Sequence, residues 1–330
     1  MKKRFGILLA LVLAIATVFS SCSNGNTVRV GTGPNTGVYY AFTNALGSIV
    51  QKETGTSLSV VSTGGSVANI IGIDDGDYQM ATVQNDTIIN AYNGLDSENF
   101  PDGEIKSFSV LGEVFGEVVH IVVRGDLRDS VKTLADLKGL RVSVGAAGSA
   151  VSQNAKELFA AYGMDIEKDI IKSNLPLGNA ADAVKDGKLD AFFQTTGAPS
   201  PAVTELATSK DIFLLSIEDN VMENFIKNHK IDGKYDCYSI QEITHEQYNF
   251  IPEGESVKSI GVSAVLIVSN DLDDETVYGL TKSIWEKKDE IAKAHAVGKA
   301  MKVENAYKTV GNVPLHPGAE KYYKEIGIIK

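Results

Sequence analysis

The sequence predicts an α/β protein of two lobes built on one plan, with mostly parallel sheets. Three observations carry that prediction. Short β-branched runs alternate with helical patterns along most of the chain, which is how βαβ units read in sequence. A set of features recurs in register: Gly31 and Gly145 lie 114 positions apart, Gly65 and Gly178 lie 113 apart, and Gly76 and Gly187 lie 111 apart. Each half reads strand, glycine loop, helix, strand, helix, acidic glycine turn, apolar strand and a closing glutamine, Gln84 or Gln194. Finally, about 309 of the 330 residues follow a predicted leader, more than a single hydrophobic core usually serves.

The leader comes first. Lys2, Lys3 and Arg4 precede an apolar run from Phe5 to Phe19, the length of a signal-peptide core and short for a membrane span. Phe19-Ser20-Ser21-Cys22 then resembles a lipobox, with Phe19 where leucine is usual. Residues 1–21 are therefore expected to be a lipoprotein signal peptide and Cys22 the lipidated residue. The plain alternative is an ordinary signal peptide cut nearby, with Cys22 incidental. The full chain carries a net charge of −11, and loss of the three leader cations takes it to about −14. A chain this acidic does not wrap nucleic acid or an anionic membrane surface. With Cys22 modified, Cys237 stands alone, so no internal disulfide framework is expected.

Strands are expected at 28–31, 58–62, 79–83, 108–115, 118–124, 141–144, 191–194, 212–216 and 262–269. The run Val118–Arg124 lies between the repeated units and Val262–Ser269 is a second long β-branched run after them, so the chain is expected to cross between lobes twice. That places residues 22–118 and 270–330 in a discontinuous first lobe and 119–269 in the second. The crossings are strands rather than loose tails, which makes the expected motion a hinge bend. After the second crossing, residues 271–274 offer aspartates to cap the next helix.

The stretch Gly31-Thr32-Gly33-Pro34-Asn35-Thr36-Gly37-Val38-Tyr39-Tyr40 joins a strand to an amphipathic helix. Such a junction points free N–H groups of a helix start at a ligand. Its glycines miss the dinucleotide spacing, the next strand ends without an acidic residue, and no Gly-Lys-Ser/Thr phosphate loop occurs, so no nucleotide cofactor is expected. The bland reading is a tight turn. Of Tyr39 and Tyr40, adjacent at a helix start, one is expected to pack and the other to face the cleft. Thr63-Gly64-Gly65-Ser66-Val67-Ala68-Asn69 opens another helix, with Ser66 either a plain N-cap or a ligand-facing hydroxyl. Gln84, Asn85 and Asp86 close a strand at the edge where open α/β sheets bind ligands, and the alternative is helix capping by Asn85 or Asp86. Gly145 to Ser149, with Ser152 and Asn154 behind it, is the second lobe's counterpart of the opening loop. Two helix N-termini facing one cleft suit a solute carrying two carboxylates, or one carboxylate and an amide. Glu113, Glu117 and Asp86 are available to a solute ammonium, or are simply solvated. The candidate ligand-binding set is Thr32, Gly33, Gly37, Tyr39, Tyr40, Ser66, Asn69, Gln84, Asp86, Glu117, Gly148, Ser149 and Asn154.

Catalytic patterns fail. The five histidines show no metal-ligand spacing, no Gly-x-Ser-x-Gly elbow is present, and Cys237 has no nucleophile signature. No catalytic residue, metal or cofactor is expected.

Taken together, these motifs resemble the TAXI family of TRAP-transporter solute-binding proteins. Members carry Gly-Thr-Gly-x-x-Gly-Gly-x-Tyr-Tyr near the mature start, matched at Gly31–Tyr40, then Thr-Gly-Gly-Ser-x-x-Asn, matched at Thr63–Asn69. Gln84 to Asp86 matches a strand end Gln-x-Asp, and Leu134 to Gly139 with Gly145, Gly148 and Ser149 matches the second lobe. Asp186 to Ala191 and His316 to Ala319 match later signatures, so the resemblance spans nearly the whole mature chain. This sequence departs at Pro34-Asn35-Thr36, at Ala41 where proline is common, and at Ala150 where glycine often follows the serine. The resemblance implies a two-lobed periplasmic-binding-protein fold, a Venus flytrap of type II-like topology with two hinge-crossing strands. It also implies capture of a small anionic solute (glutamate, glutamine or a related dicarboxylate) outside the cytoplasm and delivery to a TRAP membrane permease. The other classes are a sensing or surface lipoprotein with no permease, and an enzyme on a bilobal scaffold.

Overall fold

The run Thr27–Gly31 forms β1, and Ser57–Val61 forms β2 parallel to it, with Thr27 opposite Ser57 and Gly31 opposite Val61. The computed structural model of the protein describes residues 27–330. The expected leader and Cys22 lie outside the described residues. Helix α1 (Val38–Thr54) joins β1 to β2 and buries Val38, Phe42, Leu46 and Val50, one face of a 3.6-residue period. It stops at Gly55, whose φ of 77° is the left-handed cap that glycine adopts without strain. Helix α2 (Ser66–Asp74) leads into β3 (Met80–Gln84), buried along its whole length and parallel to β1, and α3 (Asn85–Asn93) follows without a loop.

The second half repeats this order. It runs β5 (Arg141–Ser143), α4 (Ala150–Ala161), β6 (Ile171–Ser173), α5 (Leu177–Lys185) and β7 (Ala191–Thr196), with β5 parallel to both β6 and β7. Then come α6 (Pro201–Ser209), β8 (Ile212–Leu214), α7 (Asp219–Asn228) and β9 (Ser239–Thr244). The C-terminal α8 (Asp274–Glu286), α9 (Lys288–Ala294) and α10 (Pro317–Glu325) return to the first half, where Leu280, Ile284, Trp285 and Tyr323 pack with Val30 and Phe42. Asp273 caps α8, accepting from the Thr276 N–H at 2.9 Å, within the range read from sequence.

Two long strands join the halves. β4 (Phe108–Arg124) and β10 (Ser256–Ser269) pair antiparallel from Phe108–Ser269 to Val118–Gly261. The sheet order is β2-β1-β3-β10-β4-β7-β5-β6, with β8 on β4 and β9 on β10. The parallel character expected therefore holds within each half, around an antiparallel centre. The two strands expected at 108–115 and 118–124 are one, because β10 pairs across the Gly116-Glu117 step and keeps the backbone extended. Along β10, Ser256–Gly261 pairs with β9 and Ala264–Val268 with β3. The strand partner thus changes near residues 261–264. The reason is core membership: Ala264, Leu266 and Val268 pack with Val28 and Met80 of the first half, whereas Ile260 packs with Val119 and Ile121 of the second. The stretch 229–238 leaves the second half between α7 and β9, and places Tyr235 and Cys237 against Val310 and Val313 of the first.

Candidate functional site

The loops after β1 and β5 face each other. In the first, the Gly37 N–H donates to the Pro34 carbonyl at 2.8 Å, closing a tight turn just before α1. In the second, Gly145 has φ +87°, and a Cβ there would sit 2.7 Å from Val151 Cγ1, so only glycine is accommodated. Ser149 caps α4: its Oγ accepts from the Ser152 N–H at 3.2 Å and donates to the Ala146 carbonyl at 2.7 Å.

Between the loops lies a cavity of about 50 Å³. One water needs roughly 10–15 Å³ on this measure, so the space suits a small solute and not a peptide. The first half contributes Gly33, Pro34, Gly37, Val38, Tyr39, Gly64, Gly65, Ser66, Gln84 and Glu117. The second contributes Ala146, Ser149, Ala150, Val151, Pro176, Leu177, Gln194, Thr195 and Thr196. Helices α1, α2, α4 and α5 all begin at this wall, at Val38, Ser66, Ala150 and Leu177. Each start carries N–H groups without intrahelical partners and the positive end of a helix dipole.

Among the described residues the wall contains no lysine or arginine, and its one carboxylic acid is Glu117. Glu117 is 2% exposed and accepts the Tyr39 hydroxyl at 2.5 Å. Burial pushes its carboxyl up to about 8, opposed by the Tyr39 hydrogen bond and reinforced by the nearby charge of Asp86. Burial also raises the Tyr39 phenol, with Glu117 beside it adding to the shift. Gln84 is 3% exposed, and its Oε1 has no hydrogen-bond partner among the described residues. A buried polar atom left unpaired beside a cavity needs a donor that the protein does not provide.

The structure divides the expected residues. Gly33, Gly37, Tyr39, Ser66, Gln84, Glu117 and Ser149 line the cavity. Ser66 is not the N-cap of α2, because Gly65 occupies that position. Its Oγ instead accepts from the Gln84 N–H at 3.0 Å, tying α2 to the end of β3. Of the two tyrosines, Tyr39 faces the cavity, while Tyr40 is half-buried outside the wall. Thr32 is fully buried and donates to the Val61 carbonyl at 2.7 Å, holding β1 to β2. Asn69 donates to the Thr32 and Thr82 carbonyls at 2.6 and 2.8 Å, a bracket beneath the first loop. Gly148 lines a neighbouring groove with Lys156 and Asn99. Asp86 and Asn154 lie behind the wall, where Asn154 Nδ2 donates to Asp86 Oδ2 at 3.0 Å and Asn154 Oδ1 accepts from Thr195 Oγ1 at 2.8 Å.

Gln194 and the Pro176-Leu177 helix start were not among the expected residues. The internal repeat held the signal for both, since Gln194 stands where Gln84 does and Leu177-Gly178 where Gly64-Gly65 does. Thr36, at the irregular centre of the first loop, faces Gly178 across the cleft, and a Cβ on Gly178 would lie 3.2 Å from Thr36 Cγ2. Among the described residues no group of three or more His, Cys, Asp or Glu side chains is placed to hold a metal, and no helix is long and apolar enough to cross a membrane.

A family model for the NMT1-like family matches residues 30–327. Among solved structures, the chain is similar to a protein described as a periplasmic transporter, at 16% identity over 92% of this chain and 94% of that one, with a TM-score of 0.55. It is similar to a protein of Bordetella bronchiseptica RB50 at 18% identity, covering 91% and 82% with a TM-score of 0.51. It is also similar to the GluR0 ligand-binding core complexed with L-glutamate, at 10% identity, covering 84% and 100% with a TM-score of 0.50. Likeness at these identities shows the fold, that of type II-like periplasmic binding proteins. The match over residues 30–327 shows the family: the chain belongs to the NMT1-like family.

Proposed function

We propose that this protein is an exported solute-binding lipoprotein that captures a small carboxylate solute between two lobes and delivers it to a TRAP-type membrane permease. The observation that carries the reading is the cavity itself: it is walled from both halves, four helices begin on it, and an unpaired Gln84 Oε1 and a buried Glu117 face it. The helix starts suit the carboxylate. Glu117 and Gln84 suit a donor on the same solute, an ammonium or amide. Without a lysine or arginine in the wall, a second carboxylate has no cationic partner. Among the solutes implied by the TAXI resemblance, glutamine, with one carboxylate, an ammonium and an amide, therefore fits better than glutamate or another solute with two carboxylates.

The proposed lobes meet at Glu117–Val118 in β4 and Gly261–Ala264 in β10, where strand partners change. Solute contacts made from both lobes favour the closed form. The permease partner and the Cys22 anchor rest on the sequence motifs, and the protein performs no chemistry on the solute. A thermal-shift screen of L-glutamate, L-glutamine and succinate tests the reading. An amino acid at 100 times its Kd stabilises the fold by about 2.7 kcal/mol. An ammonium placed beside Glu117 favours its ionised form, so Glu117→Gln is expected to weaken amino-acid binding about 10- to 100-fold, the worth of a charge-assisted hydrogen bond. The absence of a shift with any of the three solutes would count against the reading.

A further inference from the structure

Behind the cavity, three side chains from separate segments meet: Asp86 at the start of α3, Glu157 on α4, and Tyr238 at the end of the 229–238 stretch. The Tyr238 hydroxyl lies 2.9 Å from Glu157 Oε2 and 3.3 Å from Asp86 Oδ2. A phenol has one proton and donates one full-strength hydrogen bond, so two carboxylates share it only weakly. A second full-strength hydrogen bond therefore needs a proton from one of the acids. Asp86 is well served as a carboxylate: the Thr87 N–H and hydroxyl reach Oδ1 at 2.7 and 3.2 Å, and Asn154 Nδ2 reaches Oδ2 at 3.0 Å. Glu157 has one other donor, Gln153 Nε2 at 2.8 Å. The proton therefore belongs on Glu157, which donates to the Tyr238 oxygen, while Tyr238 donates to Asp86.

We propose that joining the two halves takes up one proton from solvent onto Glu157, completing a Glu157–Tyr238–Asp86 chain that clasps them, and that losing this proton opens the clasp. The proposal rests on the two-lobe reading but not on the identity of the solute. The chain is cross-half by construction. Asp86 belongs to the first half and Glu157 to the second, while Tyr238 ends a stretch that starts in the second half and packs on the first. The surroundings are acidic or neutral: Glu117 from β4, Tyr39 from α1 and Cys237 from the stretch itself. His229 and Lys156, the latter paired with Glu98 at 2.8 Å, add attractive charge toward Glu157. Burial raises both Asp86 and Glu157 above the ordinary carboxylate range, in keeping with a retained proton.

The sign follows directly. A carboxyl whose joined-state pKa is raised favours joining at low pH, and that contribution is lost as pH rises through the raised value. Small-angle X-ray scattering on the solute-free protein from about pH 5 to about pH 9 reads this as the radius of gyration. The wild type is expected to expand as pH rises. Glu157→Gln supplies the Tyr238 oxygen with a permanent N–H donor, so its radius is expected to stay at the low-pH value throughout. Tyr238→Phe removes the bridge and is expected to be expanded even at low pH. A wild-type radius that does not change with pH overturns the proposal. So does wild-type pH dependence persisting in Glu157→Gln, or an unchanged low-pH radius in Tyr238→Phe. Because no solute is added, a failed solute screen leaves this test intact.

Discussion

Tyr39 donates to Glu117 over 2.5 Å in a setting that water barely reaches, and this fixes how the site responds to pH. Burial raises the Glu117 carboxyl from 4.5 to about 8, so between those values the folded protein holds a proton that the unfolded chain releases. Stability then falls as pH rises across that window and levels off above it. The thermal midpoint of the solute-free protein is expected to drop between about pH 5 and about pH 8, and Glu117→Gln is expected to reduce the drop. A midpoint profile identical in variant and wild type would remove Glu117 as the cause. Gln84 shows the same tension between site and stability. Its unpaired Oε1 costs about 1–3 kcal/mol in the empty protein. Gln84→Met, similar in shape and without the acceptor, is expected to raise stability in urea unfolding by up to that amount and to weaken solute binding in calorimetry. Gln84, Ser66, Ser149 and Glu117 all reach the cavity wall. The sequence could not say that Thr32 and Asn69 spend their polar atoms on backbone carbonyls, because that depends on β1 and β3 lying side by side.

Helix starts and strand ends were legible because their local chemistry is strong. The glycine loop before α1, the Ser149 cap of α4 and the Asp273 cap of α8 each follow from a short motif. Strands β6 and β9 were not, since Ile171–Ser173 and Ser239–Thr244 lack a continuous apolar run and become strands only by pairing with β5 and β10. The run from Phe108 to Arg124 read as two strands because Gly116 and Glu117 interrupt its apolar pattern, and pairing with β10 overrides that interruption. Glycine also decides how closely these elements approach. A Cβ on Gly261 would lie 2.6 Å from the Glu117 carbonyl and would strike the Gln241 side chain. Gly261→Ala is therefore expected to force β10 off β4 and β9 where the halves join, destabilising the fold by about 1–3 kcal/mol, readable by urea unfolding. An unchanged midpoint would show that the strands have slack at the crossing.

The two halves share a sheet rather than merely touching, and this sets how the molecule unfolds. β4 supplies Leu111, Val114 and Phe115 to one core of the first half, and Phe108 and Val110 to the other. It then supplies Val119, Ile121 and Val123 to one core of the second half, and Val118 and Val122 to the other. β10 divides in the same way, with Leu266 and Val265 on the two faces of the first half and Ile260 in the second. No core is complete without the same two strands. Asn85 adds a tie at the centre: Nδ2 donates to the Cys237 and Thr309 carbonyls at 3.1 and 3.2 Å, and Oδ1 accepts from the Ser263 N–H at 3.0 Å. Losing one half would expose both central strands and strip the other half of part of its interior. Calorimetric unfolding of the solute-free protein is therefore expected to show one transition, with van't Hoff and calorimetric enthalpies equal, although a chain of this length on two independent cores would show two. A bound solute is expected to move that single transition upward as a whole. Two resolved transitions, or a solute that shifts only part of the heat absorption, would show that the halves fold separately and that the shared strands couple them less than their packing implies.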